Sequence, residues 1–222
     1  MLMKNENGYG QCIVKYIEQL PTGIPIFTDE IVDLLIEEFD IDEERAKKIV
    51  NTNLNRLKGN VIEGFKKGIY YKPKVTAFGK SPLNPSQVAT KMFLKDKDEI
   101  IGYETGASLM QKFGLTTQIP KYRYIATNKF TGKGKRVLED LKLVVRRPRI
   151  KVTTENVFYL QLIDALENRD NVKMDAHDPC RIMSEYIEKH QLDYGKLIAI
   201  VKRSYNKEVL LRLSELAAET KL

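Results

Sequence analysis

Few of the side chains that carry most enzymatic chemistry are present in this chain. Among 222 residues there are two histidines, His177 and His190, and two cysteines, Cys12 and Cys180. So few imidazoles and thiols leave little material for nucleophilic catalysis or a zinc site. The two cysteines, far apart in sequence, read as reduced thiols rather than a disulfide framework. No apolar run approaches the ~18 residues of a membrane-crossing helix, so no membrane association is expected. The start, with polar Lys4, Asn5, Glu6 and Asn7, lacks the basic-then-apolar order of a secretory signal, and a cytoplasmic location is expected. There is no internal repeat and no low-complexity tract. With 42% hydrophobic and 30% charged residues, the composition is that of a folded globular protein.

What the chain does have is charge sorted by position. Residues 1–44 hold two Lys or Arg against eleven Asp or Glu, whereas residues 45–80 hold ten against the single acid Glu63. A second basic tract, residues 121–151, has eleven Lys or Arg against Glu139 and Asp140. Segregation of this kind suits a phosphate-binding surface, and it also suits two solvated basic faces.

The apolar spacing predicts an amphipathic helix over Gly10–Leu20, ended by Pro21-Thr22-Gly23. Thr28 is placed to cap a second helix, with Asp29 and Glu30 in its first turn and Ile31, Leu34, Leu35 and Phe39 inward. Asp42 is placed to cap a third, from about Glu43 to Lys58. On that helix Ala46, Val50, Leu54 and Leu57 form one stripe, flanked by Ile49. The opposite face carries Arg45, Lys48, Thr52 and Asn55, with Asn51 and Arg56 at its edges. Arg can bond guanine bidentately, Asn can do so with adenine, and Lys neutralises phosphate.

Two short runs, Val61–Phe65 and Ile69–Lys72, joined by Lys66-Lys67-Gly68, predict a β-hairpin. Three helices and a hairpin are the elements of a winged helix-turn-helix, expected over residues 1–74. Lys66, Lys67, Tyr71 and Lys72 would then reach the flanking backbone or minor groove; for the tyrosines, packing in a small core is the competing role. Residues 75–84 read as a proline-punctuated connector. Residues 85–222 read as a mixed α/β, helix-rich domain. Helices are expected over Ser86–Leu94, Ala107–Phe113, Glu155–Glu167, Pro179–Lys189, Tyr194–Arg203 and Lys207–Glu219, and strands over Tyr122–Thr127 and Leu141–Val145. The fold class is α+β.

Three clusters imitate chemistry. Asp175-Ala176-His177-Asp178-Pro179-Cys180 gathers metal-capable groups at no zinc spacing, and Asp178-Pro179 fits a helix cap. Thr131-Gly132-Lys133-Gly134-Lys135-Arg136 lacks the Walker spacing and reads as a basic hairpin turn. Asp96-Lys97-Asp98 resembles a phosphate-transfer metal pair but lacks a preceding Gly-Ser element, and reads as a polar turn. No catalytic residue, metal or cofactor is assigned.

An ordered series of motifs adds a family likeness. Lys67-Gly68-Ile69-Tyr70-Tyr71-Lys72-Pro73-Lys74, Phe78-Gly79, Gly102-Tyr103-Glu104-Thr105-Gly106, Gly114-Leu115-Thr116-Thr117-Gln118-Ile119-Pro120 and Ile125-Ala126-Thr127-Asn128-Lys129 follow one another, with weaker likeness through Thr154-Glu155-Asn156 and Leu162–Leu166. The series resembles the AbiEi-type antitoxins of bacterial type IV toxin–antitoxin systems. That resemblance implies a winged-helix domain repressing its own promoter. It also implies a C-terminal domain that counters a nucleotidyltransferase-like toxin without stably binding it. The expectation is therefore an autorepressor of double-stranded DNA that doubles as an antitoxin. The alternatives are a winged helix that docks a protein partner, a transcription factor without antitoxin activity and, more remotely, a phosphate-transfer enzyme using Asp96 and Asp98.

Overall fold

The computed structural model describes residues 6–220; Lys4 and Asn5 of the polar start lie outside the described residues. The fold is α+β, and the chain divides into two compact units, the first ending at Val88 and the second beginning at Ala89.

The first unit opens with α1 (Glu6–Gln19), four residues earlier than the apolar pattern alone indicates. β1 (Pro25–Phe27) runs straight into α2 (Thr28–Phe39), and α3 (Glu43–Leu57) follows. β2 (Glu63–Lys66) and β3 (Ile69–Tyr71) then form a hairpin. β3 lies between β1 and β2, both antiparallel to it. Three helices, a short strand between the first two, and a closing hairpin constitute a winged helix-turn-helix. Its core is Tyr9, Ile13 and Ile17 of α1, Ile31, Val32 and Leu35 of α2, and Ala46, Val50 and Leu54 of α3, with Ile26 and Ile62.

Two local expectations are corrected here. Thr28 is the first helical residue rather than the cap, because β1 extends to Phe27 and the helix begins at once. Its amide and hydroxyl both donate to the Gly68 carbonyl, at 3.0 and 3.2 Å, while the Glu30 carboxylate accepts from the Phe27 amide. Leu34 is only half-buried, and Val32 takes the inward place instead. Asp42 caps α3 as expected, accepting from the Arg45 amide at 2.9 Å.

The segment read as a connector is structured. β4 (Val75–Thr76) and β5 (Gly79–Lys80) pair as a small hairpin. Lys80 Nζ holds it to the Gly59 carbonyl and the Glu63 carboxylate, each at 2.6 Å. α4 (Pro85–Phe93) carries the chain from one unit into the next.

In the second unit β6 (Lys95–Asp96) and β7 (Glu99–Ile100) make a tight turn. β8 (Gly102–Glu104) leads into α5 (Gly106–Phe113), closed by left-handed Gly114 as expected. β9 (Arg123–Thr127), β10 (Lys135–Leu138) and β11 (Leu143–Arg146) complete a four-stranded sheet ordered β10-β11-β9-β8, parallel only between β9 and β11. Gly102 has no room for a side chain, since a Cβ there would lie 2.1 Å from the Phe93 carbonyl oxygen and 2.8 Å from that of Ala126.

Four helices finish the unit: α6 (Val157–Glu167), α7 (Pro179–Lys189), α8 (Tyr194–Ser204) and α9 (Lys207–Thr220). Their shared core includes Leu162, Ile163, Leu197, Val201 and Leu213, all fully buried.

A fully buried carboxylate joins three elements of this second unit. The Asp164 carboxylate is fully buried on α6. It accepts from the Thr105 hydroxyl at 2.5 Å, the Gly106 amide at 3.0 Å and Asn168 Nδ2 at 3.3 Å, and it forms an ion pair with Arg146. Burial pushes its carboxyl above the ordinary range, against the opposing pull of the Arg146 charge and of the Thr105 and Gly106 donors. Arg146 Nη2 also donates to the Thr105 hydroxyl at 2.8 Å. The network ties α5, α6 and β11 together.

Two stability predictions follow from these cores. Leu54→Ala removes a fully buried side chain and should cost about 2–5 kcal/mol in urea denaturation. Asp164→Ala strands the Arg146 charge and should cost about 3–5 kcal/mol by the same measurement. A cost below about 1 kcal/mol at either position would contradict its placement.

Candidate nucleic-acid interface

The surface in question is the outer face of α3. Three fully buried side chains, Ala46, Val50 and Leu54, pin the helix through one stripe. At ~100° per residue that stripe obliges Arg45, Lys48, Thr52 and Asn55 to face outward. All four are exposed, as are Asn51 and Arg56. The acids of the helix, Glu43 and Glu44, sit in its first turn, where the macrodipole favours negative charge. The remaining exposed length is left to cations and amides.

Several of these groups have partners within the unit. The Arg45 guanidinium lies 5.9 Å from the centre of the Tyr9 ring, a cation–π contact that steadies it near the helix start. Lys48 pairs with Glu44 at 2.8 Å, both side chains being mostly exposed. A pair so open to water is worth about 0–1 kcal/mol and yields readily to a phosphate. The Thr52 hydroxyl donates to the Lys48 carbonyl at 2.9 Å, which leaves its methyl and its acceptor lone pairs outward.

The hairpin supplies a second exposed basic element. Lys66 ends β2 rather than lying in the turn, which narrows to Lys67-Gly68. Gly68 has a φ of +77°, a conformation that favours glycine. Both lysines are exposed.

Two expected contacts are corrected. Tyr71 is buried, 8% exposed, because β3 is the middle strand of its sheet and Tyr71 is matched with Pro25 on one side and Glu63 on the other. Lys72 turns back to the end of α1, where its ammonium donates to the carbonyls of Ile17 at 3.2 Å and Glu18 at 2.9 Å. Carbonyls of the last turn lack their usual donors four residues on and attract a cation, that of Ile17 also accepting the Leu20 amide at 3.2 Å. Neither residue belongs to the exposed surface.

Sequence reasoning missed a groove beside Arg56. It spans about 410 Å³ and is lined by Gln11 and Lys15 of α1 and by Asn53 and Arg56 of α3. Gly10 is the signal that could have revealed it, since a Cβ there would meet Asn53 Oδ1 at 3.2 Å and α1 can approach α3 closely.

Two of the three clusters set aside as chemistry have structural roles. Asp178 caps α7 through the Arg181 amide at 2.9 Å, and Asp175 accepts from the Thr117 amide and hydroxyl at 2.9 and 2.6 Å. Among the described residues, no three His, Cys, Asp or Glu side chains converge as metal ligands would. Asp96 ends β6 and Asp98 lies in the β6–β7 turn itself, with Asp96 paired to Lys129 at 3.1 Å. No helix among the described residues is long and apolar enough to cross a membrane.

Comparison with known proteins bears on the chain as a whole. Residues 13–166 match DUF6088, described as a family of unknown function. No curated protein matches. Among solved structures, the crystal structure of RV2827C protein from Mycobacterium tuberculosis is similar at 12% identity, over 94% of this chain and 75% of that one, with a TM-score of 0.45. That likeness is too distant to support either a fold or a function.

The geometry makes a chemical prediction. Under limiting acylating reagent, Lys48 and Lys67 should be modified before Lys72, whose ammonium is engaged by two carbonyls. Peptide mass spectrometry reads the order, and equal rates at the three positions would contradict it.

Proposed function

The chain belongs to the DUF6088 family, and from the geometry of its first unit we propose that it binds double-stranded DNA. In this reading α3 enters the major groove and the β2–β3 wing rests on the backbone. The observation that carries it is the division of α3 into a fully buried apolar stripe and an exposed face of Arg45, Lys48, Asn51, Thr52, Asn55 and Arg56. Arg45, Asn51 and Asn55 are the base readers of choice, because their planar donor groups match guanine and adenine edges. Lys48, Arg56, Lys66 and Lys67 supply phosphate contacts, which give affinity and register but little sequence information.

The biological role we propose is autorepression joined to antitoxin activity in a two-gene type IV system. Its support is the ordered likeness to AbiEi-type antitoxins running from Lys67 to Lys129. Much of that series has work to do inside the second unit. Thr105 and Gly106 hold Asp164, and the Asn128 amide group bonds both the carbonyl and the amide of Val152, at 2.8 and 2.9 Å. Countering a nucleotidyltransferase-like toxin would fall to that unit, without a stable complex.

DNA binding is tested by fluorescence anisotropy with the chain's own upstream duplex at two salt concentrations. Affinity should fall steeply as salt rises. Lys48→Glu with Lys67→Glu should weaken binding more than ~100-fold without lowering the melting temperature, whereas Lys72→Ala should leave affinity within about threefold. Normal binding by the double variant, or salt-independent affinity, would remove α3 and the wing as the binding surface.

A further inference from the structure

We propose that the second unit binds a small phosphorylated organic ligand in the cavity beside Arg146, between the sheet, the start of α5 and the end of α6. The cavity holds about 330 Å³. Three cations border it, Lys135 on β10, Arg146 on β11 and Arg149 just beyond, and Glu167 is the one acid among its lining residues.

The strand register explains why these groups converge. Lys135 is matched with Arg146 across the β10–β11 pair, so both side chains leave the same face of the sheet. Val144, two residues before Arg146, shares that face, and so does Tyr124, matched with Val144 across β9–β11. Like charges placed directly opposite each other on neighbouring strands are destabilising. Asp164 compensates Arg146 from within, and Glu167 pairs with Arg149. Lys135 remains as the surplus charge on the wall, and an anion lying between it and Arg146 would relieve their repulsion.

Arg146 is held ready for such a contact. Its bonds to Asp164 and Thr105 both leave from Nη2, and a guanidinium carries further donors on its other two nitrogens. A fork fixed in this way loses little freedom on meeting a phosphoryl group. The first amide of α5 is already given to Asp164, so the anion's partners are side chains. The space exceeds what inorganic phosphate fills and reaches the lower end of small-molecule sites. Tyr124 and Val144 give the remainder an apolar wall, and Asn171 gives it an exposed amide. A mononucleotide has both the anionic end and the flat apolar part that this wall suits.

The test uses the full chain, titrated with adenosine 5′-monophosphate and separately with inorganic phosphate. Calorimetry gives affinity, and the amide resonances of Gly106 and Asn171 report the place. The nucleotide should bind more tightly than phosphate, shifting both resonances. Lys135→Ala with Arg149→Ala should weaken it at least ~10-fold at an unchanged melting temperature. Lys135→Ala alone, on an exposed strand, serves if loss of the Arg149–Glu167 pair lowers stability. No heat and no shift up to about 10 mM nucleotide would overturn the proposal, as would undiminished binding by the variants. Phosphate binding as tightly as the nucleotide would overturn the ligand class.

Discussion

Everything that distinguishes the first unit depends on how α3 is seated. Ala46, Val50 and Leu54 recur every four residues and are wholly removed from water. A helix held along such a line has one rotational setting. Turning it by a single residue would drive Arg45 or Lys47 inward, where an unpaired charge is far costlier than any apolar gain. The outward chemistry is therefore not an independent feature. It is what remains once the inward stripe has been satisfied.

The second unit is organised by a polar constraint instead. A carboxylate buried without partners would cost several kcal/mol, so Asp164 is tolerated only while Thr105, Gly106, Asn168 and Arg146 meet it. Apolar packing accepts small slips between elements, but a bonded carboxylate does not. Asp164 thus specifies the relation of α5, α6 and β11 more sharply than the surrounding leucines and isoleucines do. The surface next to Arg146 inherits that definition.

Much of the fold was legible in the chain because its signals are local. Asp42 and Asp178 cap the helices that their positions announced, and α7 has the predicted limits of Pro179 and Lys189. Gly114 closes α5 in the left-handed conformation expected of a terminal glycine. What escaped notice was decided at a distance. Three residues of β1 carry no alternation to read, and their pairing with β3 is what buries Tyr71. Lys72 is drawn to carbonyls more than fifty residues earlier, information that no window around it contains. The hairpin of β4 and β5 depends on Lys80 reaching back to Glu63, so its polar composition alone suggested a connector. Within the candidate surface, the α3 residues were readable because helical periodicity sets their direction, whereas the strand residues depended on which neighbours their sheet acquired.

The double attachment of Thr28 to Gly68 has a mechanical meaning. One carbonyl at the hairpin's turn is gripped by both the amide and the hydroxyl of the residue that starts α2. The hairpin is consequently not a free flap but one jaw of a caliper whose other jaw is the helix pair. On the proposed DNA-binding reading, a duplex met by both jaws would be gauged against a fixed opening, so selection would be by width as well as by chemical pattern.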